Sequence, residues 1–482
     1  MLRLRLVVVL LVGVASCNEN NNLYCPSGPN ATNTACLDGP PADTSTDAGS
    51  DTGTGIDAAV TCTANAACSA VPGSPVCDLS LTPPECVHCT AADHALCTGT
   101  TPACTAHTCV ACSVDADCDT GSLCLPTGAC AGPSETIHAV SSGGSTDSTT
   151  CGGTGAGSAC TLSAALAAVT ATKNVIKLDD AGPYKADSNG FIAATNVTIL
   201  AHGATLTRND PGPILSINTA VAVTIVDGTL QTANGTGGDG ISCNGGTLNV
   251  IGTTIKTCDE SAIDATNCSV AVSKADFNNN SKRNPAIAGL YPGINVSGGS
   301  ITLSRSVITA TPGGGIIVGN NAKFIIVGNA FLANGDAASL NSGGISIATT
   351  PNSDNRLDFN TVSANKSQDG VAPGVRCVVA GFVAKNNIIS NNIGTPPVDG
   401  GCKYAYSDII PTVPTANDGG MNISTDPILI DPTMNFHLQS TSMARGQADP
   451  NADLTGIALR DIDGDLRAAP ADIGADQFVP SP

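Results

Sequence analysis

Apolar side chains return at an interval of seven residues through much of this chain, and few folds accommodate that interval. Ile241, Leu248 and Ile255 are seven apart, as are Ile263, Val270 and Phe277, and again Ile294, Ile301 and Ile308. Ile192, Ile199 and Leu206 keep the spacing, and so do Val375, Phe382 and Ile389. Two looser sets, Ile316 with Ile325 and Phe331, and Ile345 with Leu357 and Val362, carry insertions that fit loops. Within a set the alternation is that of a strand: Ile294 with Val296, then Ile301 with Leu303. A glycine precedes the first strand at Gly240, Gly293, Gly315, Gly344 and Gly374, where the chain enters through a tight bend. Successive starts lie 22, 31, 22, 29 and 30 residues apart. Three short strands per repeat describe an all-β solenoid, a single-stranded parallel β-helix, and the crossover rule makes it right-handed.

Composition suits that solenoid. With 53 Gly, no Trp and 3% aromatic residues, the chain is poor in the large side chains that fill one wide core, but thin stacked coils need only ladders of Ile and Val. Asparagines recur after the third strand, at Asn278, Asn279, Asn280, Asn334, Asn365, Asn391 and Asn392. They read as turn residues, because Asn tolerates left-handed backbone. Exposed solenoid ends invite strand pairing and need caps. The stretch CTLSAALAAVTA has helical spacing at Leu162, Leu166 and Val169 and is expected to cover the first coil, stapled by Cys151 and Cys160. Cys243, Cys258 and Cys268 fall on neighbouring coils, and Cys377 with Cys402 lies near the far end; a disulfide is expected in each place. The β-helix is assigned to residues 150–403 and a C-terminal segment to 404–482.

Residues 61–131 are a different construction. Twelve cysteines divide into three groups of four: Cys62, Cys68, Cys77, Cys86; Cys89, Cys97, Cys104, Cys109; and Cys112, Cys118, Cys124, Cys130. Units this small cannot stabilise themselves by burial, which predicts a disulfide-rich repeat stalk with two bridges per unit. Four cysteines allow three pairings, and spacing alone does not choose among them. Cys86-x2-Cys89 and Cys109-x2-Cys112 also approach zinc-ribbon spacing, but an oxidising compartment favours disulfides. His88, His94 and His107 have no fixed spacing to the cysteines and read as loop residues.

The first segment sets that compartment. Arg3 and Arg5 precede an apolar run ending at Val14, too short to span a bilayer as a helix, so residues 1–16 read as a secretory signal peptide. Val14-Ala15-Ser16-Cys17 resembles the bacterial lipobox, and that resemblance implies cleavage before a diacylated Cys17. It makes the chain a lipoprotein attached to the membrane through its anchor. Asn18 in place of Asp implies delivery to the outer membrane or cell surface of a Gram-negative-type bacterium. Residues 17–60, rich in Asp, Ser, Thr, Gly and Pro and holding Cys25 and Cys36, read as a lipid-anchored disordered tether. A net charge of −20 argues against nucleic-acid partners. A monomer is expected.

The solenoid resembles known families at both ends. CTLSAALAAVTATKNVIKLDDAGPY followed by NVTILAHGATLTR resembles the opening coils of secreted right-handed β-helix proteins, including polymorphic outer-membrane types. The tail, with Asp426-Pro427, His437-Leu438, Ser442, Gly446, Asp461, Asp463-Gly464, Arg467 and Asp472-Ile473-Gly474-Ala475, resembles the C-terminal segment of the choice-of-anchor Q family of bacterial surface β-helix proteins. That resemblance implies fold and surface location, with no single activity, and implies a turn in which Asp463 pairs with Arg467. Asp461, Asp463 and Asp465 also suit a calcium loop, although Asp472 stands where such a loop carries a bidentate Glu. No cofactor is expected, calcium being the one ion these acidic residues suit.

Parallel β-helices host polysaccharide enzymes, but fold is not function. A lyase needs carboxylates around Ca²⁺ and an Arg or Lys to take a proton. Asp259, Glu260, Asp264, Lys274, Asp276, Lys282 and Arg283 supply both kinds. A hydrolase needs two carboxylates a few ångström apart, and Asp264 with Asp276 is the candidate pair. Neither set reproduces the Asn-x-Asp and Asp-Asp pairs of polygalacturonases. The loops after Asp276 and Asn334 mark the discriminating side: a groove there with converging carboxylates and Lys or Arg raises the enzyme reading, and a flat Ser/Thr/Asn face leaves it low. The sequence therefore favours a non-catalytic cell-surface lipoprotein whose β-helix binds a glycan or other cell-surface component. A polysaccharide lyase or glycoside hydrolase fits only the fold, and a structural spacer fits the repeat and the stalk.

Overall fold

The computed structural model describes residues 61–69, 74–94, 96–151, 159–218, 220–281, 290–339, 341–350, 352–378 and 381–480. The signal peptide, Cys17, Cys25, Cys36 and the tether, and also Lys282 and Arg283, lie outside the described residues. The chain divides into two compact units, Met1–Pro133 and Ser134–Pro482.

In the first unit every group of four cysteines pairs first with third and second with fourth. The bridges are Cys62–Cys77, Cys68–Cys86, Cys89–Cys104, Cys97–Cys109, Cys112–Cys124 and Cys118–Cys130. Each unit holds one short antiparallel ribbon, such as Val76–Asp78 with Glu85–Val87, and buried half-cystines take the place of an apolar core. Cys86, Cys89, Cys109 and Cys112 all sit in disulfides, so the zinc-ribbon spacing has no free thiolates to use. Loops of 12 to 18 residues place each bridge in the range of about 3 kcal/mol of stabilisation.

The second unit is the solenoid. Three parallel sheets of nine, eleven and ten strands run its length. One coil passes through all three, as in Ile294–Ser297, Ser300–Ser304 and Val307–Thr309, before Ile316–Gly319 starts the next. Coils stack in strict register. Ile263, Ile294, Ile316, Ile345 and Val375 form one inward column in the first sheet. Leu248, Val270, Ile301 and Phe324 form another in the second, and Ile255, Phe277, Ile308, Phe331, Val362 and Ile389 a third. These columns belong to one continuous buried cluster, which is why no single coil needs a core of its own.

Two residues assigned inward by spacing point outward. Ile192 is 44% exposed, while Phe191 and Ala193 on either side fill the core. Ile325 faces out between inward Phe324 and Ile326, since one extra residue precedes that strand. The coil-heading glycines owe their place to crowding. A Cβ on Gly344 would sit 2.5 Å from the Gly374 carbonyl oxygen and 2.5 Å from Val362 Cγ1.

Of the asparagines after the third strand, Asn279 and Asn391 are left-handed turn residues as expected, whereas Asn280, Asn334, Asn365 and Asn392 form an inner ladder. The left-handed residue is the one before each ladder asparagine: Asn279, Ala333, Ala364 or Asn391. Asn334 Oδ1 then accepts from Thr311 N at 3.1 Å, and its Nδ2 donates to Ile308 O and to Asn365 Oδ1. Asn365 repeats the pattern with Asn392. A second ladder, Asn329, Asn360 and Asn387, lines the corner between the second and third sheets.

The ladder begins earlier than residue 150: Thr136–Ala139 already pairs in parallel with Val175–Leu178. The helix Leu162–Ala168 is capped by the Thr161 hydroxyl, buries Leu162, Ala164, Ala165 and Leu166, and closes this end, tied by Cys151–Cys160. Cys243–Cys268 and Cys377–Cys402 join neighbouring coils, and Cys258 is a buried free thiol. At the far end the third sheet runs on to Asp408–Ile409, and Asn417 Nδ2 donates to the Gly400 and Cys402 carbonyls beneath it. The tail then folds back along the outside. Leu429, Leu438, Ala444, Ala471 and Ile473 pack on Val327, Phe359 and Ile388, while Phe436, Ile462 and Ala475 pack on Ala330 and Leu332. No helix among the described residues is long and apolar enough to cross a membrane.

Candidate functional site

The sequence-derived catalytic candidates among the described residues do not converge. Asp264 lies on the outer side of the first sheet, where its Oδ1 accepts from Asn295 Nδ2 at 2.8 Å. Asp276 projects from the third sheet. They belong to different faces of the solenoid, so the hydrolase pair is not formed. Lys274 occupies a left-handed corner between the second and third sheets. Asp259 Oδ2 and Glu260 Oε1 accept from Gly235 N and Gly237 N, which fixes a bend. Near them Asp239 bonds Ser261 N, and burial, reinforced by the charges of Asp264 and Glu260, pushes its pKa up to about 7. These carboxylates hold backbone in place.

The acidic tail motif is likewise structural. Asp461 is fully buried; its Oδ1 accepts from the N–H groups of Asp463, Gly464 and Asp465, and its Oδ2 from Gln477 N. These four bonds make Asp461 the anion that holds a backbone turn. Asp463 pairs with His437, Oδ2 to Nε2 at 2.7 Å, and not with Arg467. Arg467 instead donates to the Gly474 and Ala475 carbonyls and lies 4.5 Å over the Phe359 ring. His437, Asp463 and Asp476 bring one ligand atom each within 4.8 Å, a spacing that would admit a metal ion. The His437–Asp463 bond and the Leu438 N bond to Asp476 Oδ2 already satisfy those atoms.

Charged groups do converge over the second sheet, in a place the sequence did not indicate. Strand register sets Arg356 in the column of Ile325, and sets Lys385 beside Asp358 on the adjacent coil. The returning tail supplies Asp449 and Asp453. Arg356 Nε lies 3.1 Å from Asp358 and its Nη1 3.5 Å from Asp453, while Lys385 Nζ lies 2.9 Å from Asp449. They line a hollow of about 280 Å³, and a neighbouring hollow of about 310 Å³ shares Asn355 and Val383 with it. Burial pushes the Asp358 carboxyl up, and Arg356 offsets only part of that. Burial also works against charge on Asp449, but the bonds from Lys385 and Asn451 outweigh it and hold the carboxyl below the usual range. This groove is built from strand and tail, and residues 282–289 of the loop after Asp276 lie outside the described residues. Alternation on the strands could have flagged Arg356 and Lys385 as outward; nothing local links them to Asp449 and Asp453.

Residues 231–410 match a family described as a right-handed beta helix region. The solenoid is a right-handed parallel β-helix. Among solved structures it is similar to the crystal structure of pectate lyase Pel9A, at 14% identity and a TM-score of 0.40, covering 71% of this chain and 96% of that one. No curated protein matches the sequence.

Proposed function

We propose that the protein is an exported lipoprotein, anchored through Cys17 at the outer membrane or cell surface as a monomer, that binds a glycan in the groove over the second sheet without transforming it. The observation that carries this reading is the contrast between two residue sets. Among the described residues Asp264 and Asp276 lie on separate faces and Asp259, Glu260 and Asp461 bond to backbone, whereas Arg356, Asp358, Lys385, Asp449 and Asp453 line one groove. A hydrolase needs its two carboxylates on one face, which Asp264 and Asp276 do not provide. The likeness of residues 422–478 to the choice-of-anchor Q tail fits a surface location.

The test of binding is a glycan array with the mature protein, run beside absorbance assays for unsaturated uronates and assays for new reducing ends. Bound glycan with no product is expected. Product formation would replace this reading with a polysaccharide lyase or hydrolase, and an array with no ligand would leave a structural spacer. The anchor has its own test. Cys17→Ser is expected to abolish incorporation of labelled palmitate and move the protein from the membrane fraction to the soluble one; unchanged labelling would sink the lipobox assignment.

A further inference from the structure

The groove over the second sheet has two cations, and both are matched within the fold. Arg356 is held by Asp358 and Asp453, and Lys385 by Asp449, so three carboxylates face two positive groups. The whole chain carries −20. An acidic sugar would bring a fourth carboxylate to a site with no cation to receive it, against the sign of the surrounding field. Alternating guanidinium, ammonium and carboxylate groups instead offer donors and acceptors side by side, the pattern that adjacent sugar hydroxyls match.

Two further features point to a sugar. Val383 lines both hollows and is 43% exposed, which supplies an apolar contact for the C–H face of a ring. Asn355, 7% exposed, lies at the wall the hollows share. Its Oδ1 accepts from Phe324 N at 3.0 Å, but its Nδ2 has no hydrogen-bond partner among the described residues. The cause lies in the next coil. In the ladder Asn329, Asn360, Asn387 the Nδ2 groups of Asn329 and Asn360 each find the following Asn, whereas the chain beside Asn355 continues as Phe382 and Val383. Neither of these side chains offers that donor an acceptor, and it stands at the wall the two hollows share. The hollows, about 280 and 310 Å³, each lie at the small end of ligand pockets, near 300 Å³.

We infer that the paired hollows bind adjacent units of an uncharged, hydroxyl-rich polysaccharide, with Val383 against a ring face and Arg356, Asp453 and Asn355 toward its hydroxyls. This rests on the glycan-binding reading above and names the ligand class for that site. The test is calorimetric titration of the full mature protein with uncharged gluco-, manno-, xylo- and galacto-oligosaccharides and, separately, with oligogalacturonate. Both variants, Val383→Asp and Asp453→Asn, alter exposed side chains, and circular dichroism checks their folding; Thr198→Ala, remote on the same sheet, is the control. An uncharged oligosaccharide is expected to bind with little salt dependence. Val383→Asp should weaken it about tenfold or more, and Asp453→Asn by a smaller factor. Binding unchanged in both variants would overturn the site while leaving glycan binding intact. Binding of oligogalacturonate alone would overturn the ligand class. Binding of none of these sugars, on titration and array alike, would take down both readings together.

Discussion

Asn360→Ala is expected to lower the unfolding free energy by about 3–5 kcal/mol, seen as a large drop in the urea midpoint. Asn360 is fully buried. Its Oδ1 accepts from Asn329 N and from Asn329 Nδ2, both at 3.1 Å. Its Nδ2 donates to Ile326 O at 2.9 Å, to Asp358 O at 3.0 Å and to Asn387 Oδ1 at 3.0 Å. Alanine leaves these groups facing one another in a closed corner, and each buried orphan costs roughly 1–3 kcal/mol. Asn360→Asp keeps the acceptor and loses the donors, so it should fall between wild type and alanine only if the acid is protonated. The comparison is Asn249→Ala, where an amide on the outer face of a strand donates to the Thr224 hydroxyl and a loss of about 1 kcal/mol or less is expected. Equal effects at the two positions would mean that the ladder does not hold the coils together.

The same ladders show why the fold was legible in the sequence and the site was not. A strand of four or five residues and a short corner make one side of the coil, so an inward residue returns after about seven, and the triplets around Ile241, Ile263 and Ile294 all face the core. Spacing alone does not say which of two adjacent apolar residues points in. At Phe191-Ile192 and Phe324-Ile325 the phenylalanine does, and Ile325 is partly covered by the tail. The ladder at Asn329, Asn360 and Asn387 escaped notice because a buried Asn bonded to the next coil is indistinguishable, one coil at a time, from a turn residue. The pairing of Asp264 with Asp276 failed on the geometry of the repeat. Both lie in the coil that starts at Ile263, where twelve residues carry the chain from the first sheet past the strand Ser269–Ser273 of the second and into the third, so the two cannot share a face. Residues on one face recur a full coil apart, as Asp358 and Lys385 do. Asp449 and Asp453 reach them through a tail that has no repeat, and only tertiary packing places it.

Melting temperature is expected to fall as pH rises from about 5 to about 8. Three buried carboxyls set that slope. Burial pushes Asp239 and Asp408 each up to about 7, and Asp476 up to about 6. Asp408 shows the cause most plainly: Oδ1 accepts from Thr425 N, while Oδ2 is buried with no partner among the described residues, a place suited to a proton. Unfolded, such groups titrate near 3.9. A folded pKa above the unfolded one means that the native state binds more protons in between. Its stabilisation is therefore complete below about pH 4 and is lost as pH climbs through 6 and 7. His437 adds to the trend, because its bond to Asp463 holds its pKa above the ordinary value and that gain also fades with rising pH. Asp449 and Asp463 act in the opposite sense. Their carboxyls are held low, so their contribution is lost only as pH falls below about 4, and the maximum lies near pH 5. A tenfold gain in a carboxyl's proton affinity on folding is worth at most about 1.4 kcal/mol, and with relaxation the summed change from pH 5 to 8 is on the order of several kcal/mol. Asp239→Asn and Asp408→Asn should flatten the curve separately and additively, since they lie on distant coils. A melting temperature that is level or rises over this range would show that these carboxyls ionise inside the fold, with water reaching them, and that the corners they occupy are not dry.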